Sequence, residues 1–103
     1  MYKLCFFVPE EDADSVKTAL FAAGVGRIGD YDQCCWQTSG VGQFRPLAGA
    51  NPHLGQQNRL EKVAELKVEM VCSDELIHAA VATLKQAHPY EEVAYEVYKL
   101  ADV

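Results

Sequence analysis

No apolar stretch in these 103 residues approaches the length that crosses a bilayer, and the short run inside MYKLCFFVPEED falls short of the core of a secretory leader. A cytoplasmic setting is the expectation. Basic residues are also scarce, nine against fifteen acidic ones, which leaves a formal charge of -6. Such a surface repels phosphate backbones and anionic lipid, so neither nucleic acid nor a membrane is an expected partner. Nor does any pair among Cys5, Cys34, Cys35 and Cys72 stand at C-x-x-C spacing, so a disulfide framework is not indicated. Cys34 and Cys35 fall in a segment read as extended, which would send their side chains to opposite faces as small hydrophobes rather than as joint ligands.

What is present is the balance of a folded domain: half the residues are hydrophobic and 23% are charged. The length fits one domain, residues 1–103, with a single modest core. Tyr2, Leu4, Phe6 and Val8 alternate with Lys3, Cys5 and Phe7 before Pro9, the pattern of a strand. Ala13, Val16, Leu20 and Ala23 then recur at helical spacing between Glu11 and Gly24. Tyr31–Thr38 and Gln43–Arg45 read as an extended arm bent at Ser39-Gly40-Val41-Gly42, and Leu47–Asn58 as a structured loop. Leu60–Cys72 is a long strand with Leu66, Val68, Met70 and Cys72 on one side. Ser73 is placed to cap a second helix whose stripe is Ile77, Ala80, Val81, Leu84 and His88. Val93–Leu100 closes the chain with period two.

The order β-α-β-β-α-β predicts an α+β, ferredoxin-like sandwich, a four-stranded antiparallel sheet with both helices on one face. The other face would carry Cys5, Phe7, Val63, Val71 and one of Val97 and Tyr98. That is more apolar surface than a monomer usually leaves in water, so self-association is expected.

Three motifs invite chemistry. Gly24-Val25-Gly26-Arg27-Ile28-Gly29 spells G-x-G-x-x-G, but it follows a helix and precedes a strand, so the helix N-terminus that would hold a pyrophosphate is missing and the glycines read as turn residues. In Gly40-Val41-Gly42-Gln43-Phe44-Arg45-Pro46, Arg45 reads as half of a structural ion pair, or as an anion contact across a subunit boundary. His88-Pro89-Tyr90-Glu91-Glu92 combines an imidazole, a rigid ring, a phenol and two carboxylates. Pro89 forces the exit from the helix, which gives the motif a structural job. His88 with Glu91 could also ligate a divalent metal, a third ligand coming from His53, Glu92 or Cys35. No nucleophile and base pair can be named, and no cofactor is expected.

The run Leu84–Glu92 resembles the C-terminal motif of the CutA proteins, small trimeric ferredoxin-like proteins linked to divalent-cation tolerance. A longer resemblance joins Gly26–Tyr31, Gly40–Pro46 with Gly49, Ala50, Asn51, Pro52 and Gly55, and His88–Glu92. In that order they are similar to the CutA-like and PII-like domain inserted in YqfO-type members of the Nif-three-like family, here as a stand-alone chain. The resemblance implies an oligomerising, ligand-sensing or regulatory module, trimeric rather than dimeric. Its cleft would be lined by Gly40, Gly42, Phe44, Arg45, Pro46, Asn51, Pro52, His88, Pro89, Tyr90, Glu91 and Glu92. The family's dimetal site lies in a flanking domain that these residues do not contain, so no enzymatic activity follows. Where the family often continues Glu-Glu with proline, this chain has Val93.

Overall fold

A computed structural model describes all 103 residues. Strands β1 (Tyr2–Pro9), β2 (Trp36–Phe44), β3 (Glu61–Cys72) and β4 (Tyr95–Lys99) form one antiparallel sheet in the order β2-β3-β1-β4. Helices α1 (Ala13–Ala22) and α2 (Ile77–Ala87) pack together, and both send buried side chains into the core. This is the ferredoxin-like arrangement that the element order predicts.

The core is built from one parity of each central strand: Leu4, Phe6 and Val8 on β1, and Val68, Met70 and Cys72 on β3. Val16 and Leu20 on α1 and Ile77, Ala80 and Leu84 on α2 cover them. Helix α1 stops by backbone geometry. The Gly24 amide bonds the Phe21 carbonyl at 3.0 Å and the Val25 amide bonds Leu20 at 3.1 Å, the paired bonds of a Schellman turn. Gly24 supplies the positive φ of 92° that the turn requires, and Val25 drops into the core beside Leu20. The second helix does not begin at the cap that Ser73 suggests. Single 3-10 turns, Glu10–Asp12 and Asp74–Leu76, precede the two helices, and Ser73 makes no side-chain capping bond.

The bend expected at Ser39–Gly42 is absent. β2 runs straight through both glycines in register with β3, Gly40 opposite Glu65 and Gly42 opposite Val63. Both lie within the ladder, so the glycines are not needed for a turn. β1 covers β3 only from Glu65 onward, whereas β2 follows it out to Glu61. The outer part of the hairpin therefore overhangs as a two-stranded ribbon, and the molecule is elongated, 46 × 25 × 24 Å.

The uncovered face also differs from the apolar surface the alternation suggests. Register places Lys3, Glu65, Lys67, Glu69 and Glu96 among Phe7, Val63, Val71 and Tyr98, and Lys3 is ion-paired with Glu69. Cys5 is buried to 1% exposure beneath this charged lattice, which pushes its thiol pKa up.

Candidate functional site

The end of α2 is shaped by His88, whose φ and ψ of -74° and 138° lie in the extended region required before proline. Its ring is buried, at 5% exposure. The Tyr90 amide donates to Nδ1 at 3.1 Å, which leaves Nε2 to carry the proton and donate to the Phe7 carbonyl at 2.8 Å. That carbonyl needs the bond. Phe7 is the last residue of β1 tied to the returning chain, through its amide to Ala94 at 3.1 Å, and its carbonyl on the same edge has no strand partner. His88 thus extends the β1–β4 ladder by one side chain. Burial holds its pKa below the ordinary imidazole range, against the opposing pull of the Phe7 carbonyl and of Asp12.

Tyr90 turns outward from this hinge and gathers a corner. Its ring lies 5.1 Å from His88, 5.9 Å edge-on from Phe44 and 6.2 Å from His53, centroid to centroid. Glu91 accepts the Asn51 amide at 2.9 Å, so the loop after β2 is pinned to the hinge. Within that loop the Pro46 carbonyl accepts from the Asn58 amide at 2.6 Å, with Asn58 at φ 62°. Pro46 is buried, Pro52 and Pro89 are half-buried, and Glu92 is exposed. The Tyr90 hydroxyl is out of contact with solvent and has no hydrogen-bond partner. Burial first, and then the nearby carboxylate of Glu65, hold its pKa above the usual phenol value.

Glu65 connects this corner to an open cleft of about 480 Å³ on the uncovered face. The strand from Thr38 to Gly42 forms one side, and Phe7, Glu65, Lys67 and Glu69 form the rest. The Glu65 carboxylate lies across Gly42 so closely that any β-carbon there would overlap it. Burial raises its pKa above the carboxylate norm. Gly40, by contrast, has open space where a side chain would be. The cleft therefore offers bare backbone, the reluctant carboxylate of Glu65, and the Lys67 and Glu69 side chains.

The predicted residues thus fall into two adjoining groups. Gly40 and Gly42 belong to the cleft; Phe44, Asn51, His53, His88, Tyr90 and Glu91 meet at the corner, and Pro46, Pro52, Pro89 and Glu92 lie on the segments that carry them. Arg45 is exposed and makes no ion pair within the chain, so the structural pairing expected for it is not found. Cys35 lies at the opposite end of β2 from Phe44, roughly 30 Å away at strand spacing, and cannot meet His88 and Glu91 in one chain. No three of the chain's histidine, cysteine, aspartate and glutamate side chains converge as a metal set, and both ring nitrogens of His88 are already engaged. Glu65, Lys67 and Glu69 escaped the sequence reading. Pairing the Gly40–Gly42 segment against the odd positions of β3 would have revealed them.

Comparison with known proteins bears on this arrangement. No protein-family model matches the chain. A protein called GTP cyclohydrolase 1 type 2 homolog from Halalkalibacterium halodurans is 44% identical over 102 residues, which is 99% of this chain and 27% of the relative. The crystal structure of a Bacillus cereus protein related to NIF3 superposes with a TM-score of 0.83 at 38% identity, covering 98% of this chain and 26% of that one. CutA1 from Pyrococcus horikoshii matches in fold, with a TM-score of 0.70 at 18% identity, over 100% of this chain and 86% of its own. The chain spans about a quarter of the length of the curated relatives it matches. It therefore corresponds to one ferredoxin-like, CutA-like domain of the NIF3-related proteins that carry the name GTP cyclohydrolase 1 type 2 homolog.

Proposed function

We propose that this chain is a non-catalytic, self-assembling module, a trimer in preference to a dimer, whose Gly40–Gly42 cleft takes a small-molecule ligand and serves a sensing or regulatory role. One observation carries the assembly: β2 is a nine-residue edge strand with no charged residue and no proline, exposed along most of its length. Exposed edges of this kind are normally blunted by lysine, proline or brevity, because their free amides and carbonyls pair with any strand that arrives. Trp36 at 71% and Val41 at 73% exposure lie on this strand. Arg45, just beyond it, has no carboxylate partner of its own, which suits a contact with a neighbouring copy.

The non-catalytic part of the reading rests on His88. A general base needs a free lone pair, and the only buried histidine spends both nitrogens on the backbone. The cyclohydrolase in the relatives' name is not extended to a chain that spans a quarter of their length. A cytoplasmic setting belongs to the same proposal and fits four free cysteines. No helix is long and apolar enough to cross a membrane.

Sedimentation velocity at micromolar concentration tests the assembly: a trimer is expected, and Val41→Lys, which places a charge on the edge, should shift it toward monomer with the circular dichroism spectrum unchanged. A monomeric wild-type protein would sink the proposal. Elemental analysis of untagged protein tests the non-metal character of the reading. A stoichiometric divalent ion that is lost in His88→Ala would replace that reading with a CutA-like metal-binding function.

A further inference from the structure

Four cysteines divide into two kinds. Cys5 and Cys72 are buried at 1% and 2% exposure, and burial pushes both thiols up. Cys34 is half-buried, Cys35 is exposed, and the two adjacent residues line one cleft of about 450 Å³ together with Ile28, Trp36 and Val71. The step from Cys34 to Cys35 precedes β2, so the alternation of a strand does not fix the directions of these two side chains.

The loop that carries them is clamped. The Gly26 amide bonds the Val71 carbonyl at 2.8 Å, the Cys34 amide bonds the Gly26 carbonyl at 2.8 Å, and Ile28 and Tyr31 exchange backbone bonds at 2.9 Å. Gln33, with φ 55°, turns the chain into the pair, and the Cys34 thiol rests on the Asp32 carbonyl at 3.6 Å. The two cysteines thus stand on a fixed backbone in a cleft lined by Ile28, Met70 and Val71 and, on its charged side, by Lys3 and Glu69, and the chain's single tryptophan is the next residue.

Two accessible thiols can be oxidised to each other or can share a ligand. Neighbouring α-carbons stand about 3.8 Å apart, below the roughly 4.4–6.8 Å that a disulfide spans without strain. A bridging atom larger than a bond relieves that mismatch. Tetrahedral zinc would need further ligands, no set of three converges here, and the one carboxylate that lines the cleft, Glu69, is already ion-paired with Lys3. A soft monovalent d10 cation is satisfied by two thiolates. We propose that Cys34 and Cys35 form a two-thiolate site for a soft monovalent cation of the copper(I) and silver(I) class, flanked by Ile28, Val71 and Trp36. Binding replaces two S–H bonds with two metal–sulfur bonds, turning one cation and two thiols into a bis-thiolate anion and two released protons. No electron changes hands.

The test is titration of the full, reduced chain with silver(I) nitrate in chloride-free buffer under argon, followed by Trp36 fluorescence, a pH indicator and native mass spectrometry. The expected result is one ion per chain, about two protons released per ion, and quenching that saturates at one equivalent. Cys34→Ser and Cys35→Ser should each weaken binding by about 10²- to 10⁴-fold, since the second thiolate otherwise acts at high effective concentration. The double variant should lose the site while Cys5 and Cys72 remain as internal controls. Wild-type affinity in the double variant, one proton per ion, or an ion joining two chains through one thiol each would overturn the proposal. Copper(I) delivered from a competing chelator should give the same stoichiometry, and its failure to do so would overturn the stated class.

Discussion

At the scale of single residues the hinge histidine is the most consequential side chain. His88→Ala leaves the Phe7 carbonyl unpaired at the sheet margin and should cost about 1–3 kcal/mol in chemical denaturation. Burial lowers the His88 pKa, so below an ordinary value of about 6.5 the unfolded chain binds a proton that the folded chain refuses. The stabilisation is whole above that pH and is lost as the pH falls toward the depressed folded value. Glu65 has the opposite sense, its raised carboxyl favouring the folded state at low pH and losing that advantage as the pH rises through its folded value. His88→Gln, which keeps a side-chain N–H donor, should flatten the acid limb of stability below pH about 6.5, and an unchanged limb would assign it to other groups. Glycines give a second contrast. At Gly26, with φ 81°, an added β-carbon would stand 2.7 Å from the Cys34 carbonyl, whereas at Gly29, with φ 56°, nothing lies within 4 Å. Gly29→Ala should cost only the left-handed backbone strain, about 1–2 kcal/mol, and Gly26→Ala clearly more, read as the difference in their unfolding midpoints.

At the scale of elements the sequence was legible wherever periodicity reported burial. β1, β3 and both helices follow from alternation and from helical spacing, because one face of each is pressed against the core. β2 reads from sequence as a bent arm because its exposed side chains leave no such signature, and a glycine packed against Glu65 looks like a turn residue. The hinge was legible as a change of direction at Pro89, but the partner of His88 was not, since Phe7 lies 81 residues away and the bond depends on where β4 begins. The corner contact of the loop at residues 45–60 was hidden for the same reason. Glu91→Ala, by removing the acceptor of the Asn51 amide, should raise hydrogen exchange at Asn51 and through this loop. Global stability should change by no more than about 1.5 kcal/mol, and unaltered loop exchange would mean that the Tyr90 aromatic contacts alone pin it.

At the scale of the whole molecule, assembly through the β2 edge makes thermal stability depend on protein concentration. The melting midpoint should rise with each dilution step reversed, and a midpoint that ignores concentration over two decades would speak against a subunit interface. The strand order carries a different consequence. β1, first in sequence, occupies an inner position whose neighbours are residues 65–72 and 95–99. Both strand pairings that settle it close long loops, which makes folding slower than in a topology of local contacts. While a ribosome is still making the chain, Leu4, Phe6 and Val8 have no finished berth, and the greasy leading strand must wait for its last companion to emerge.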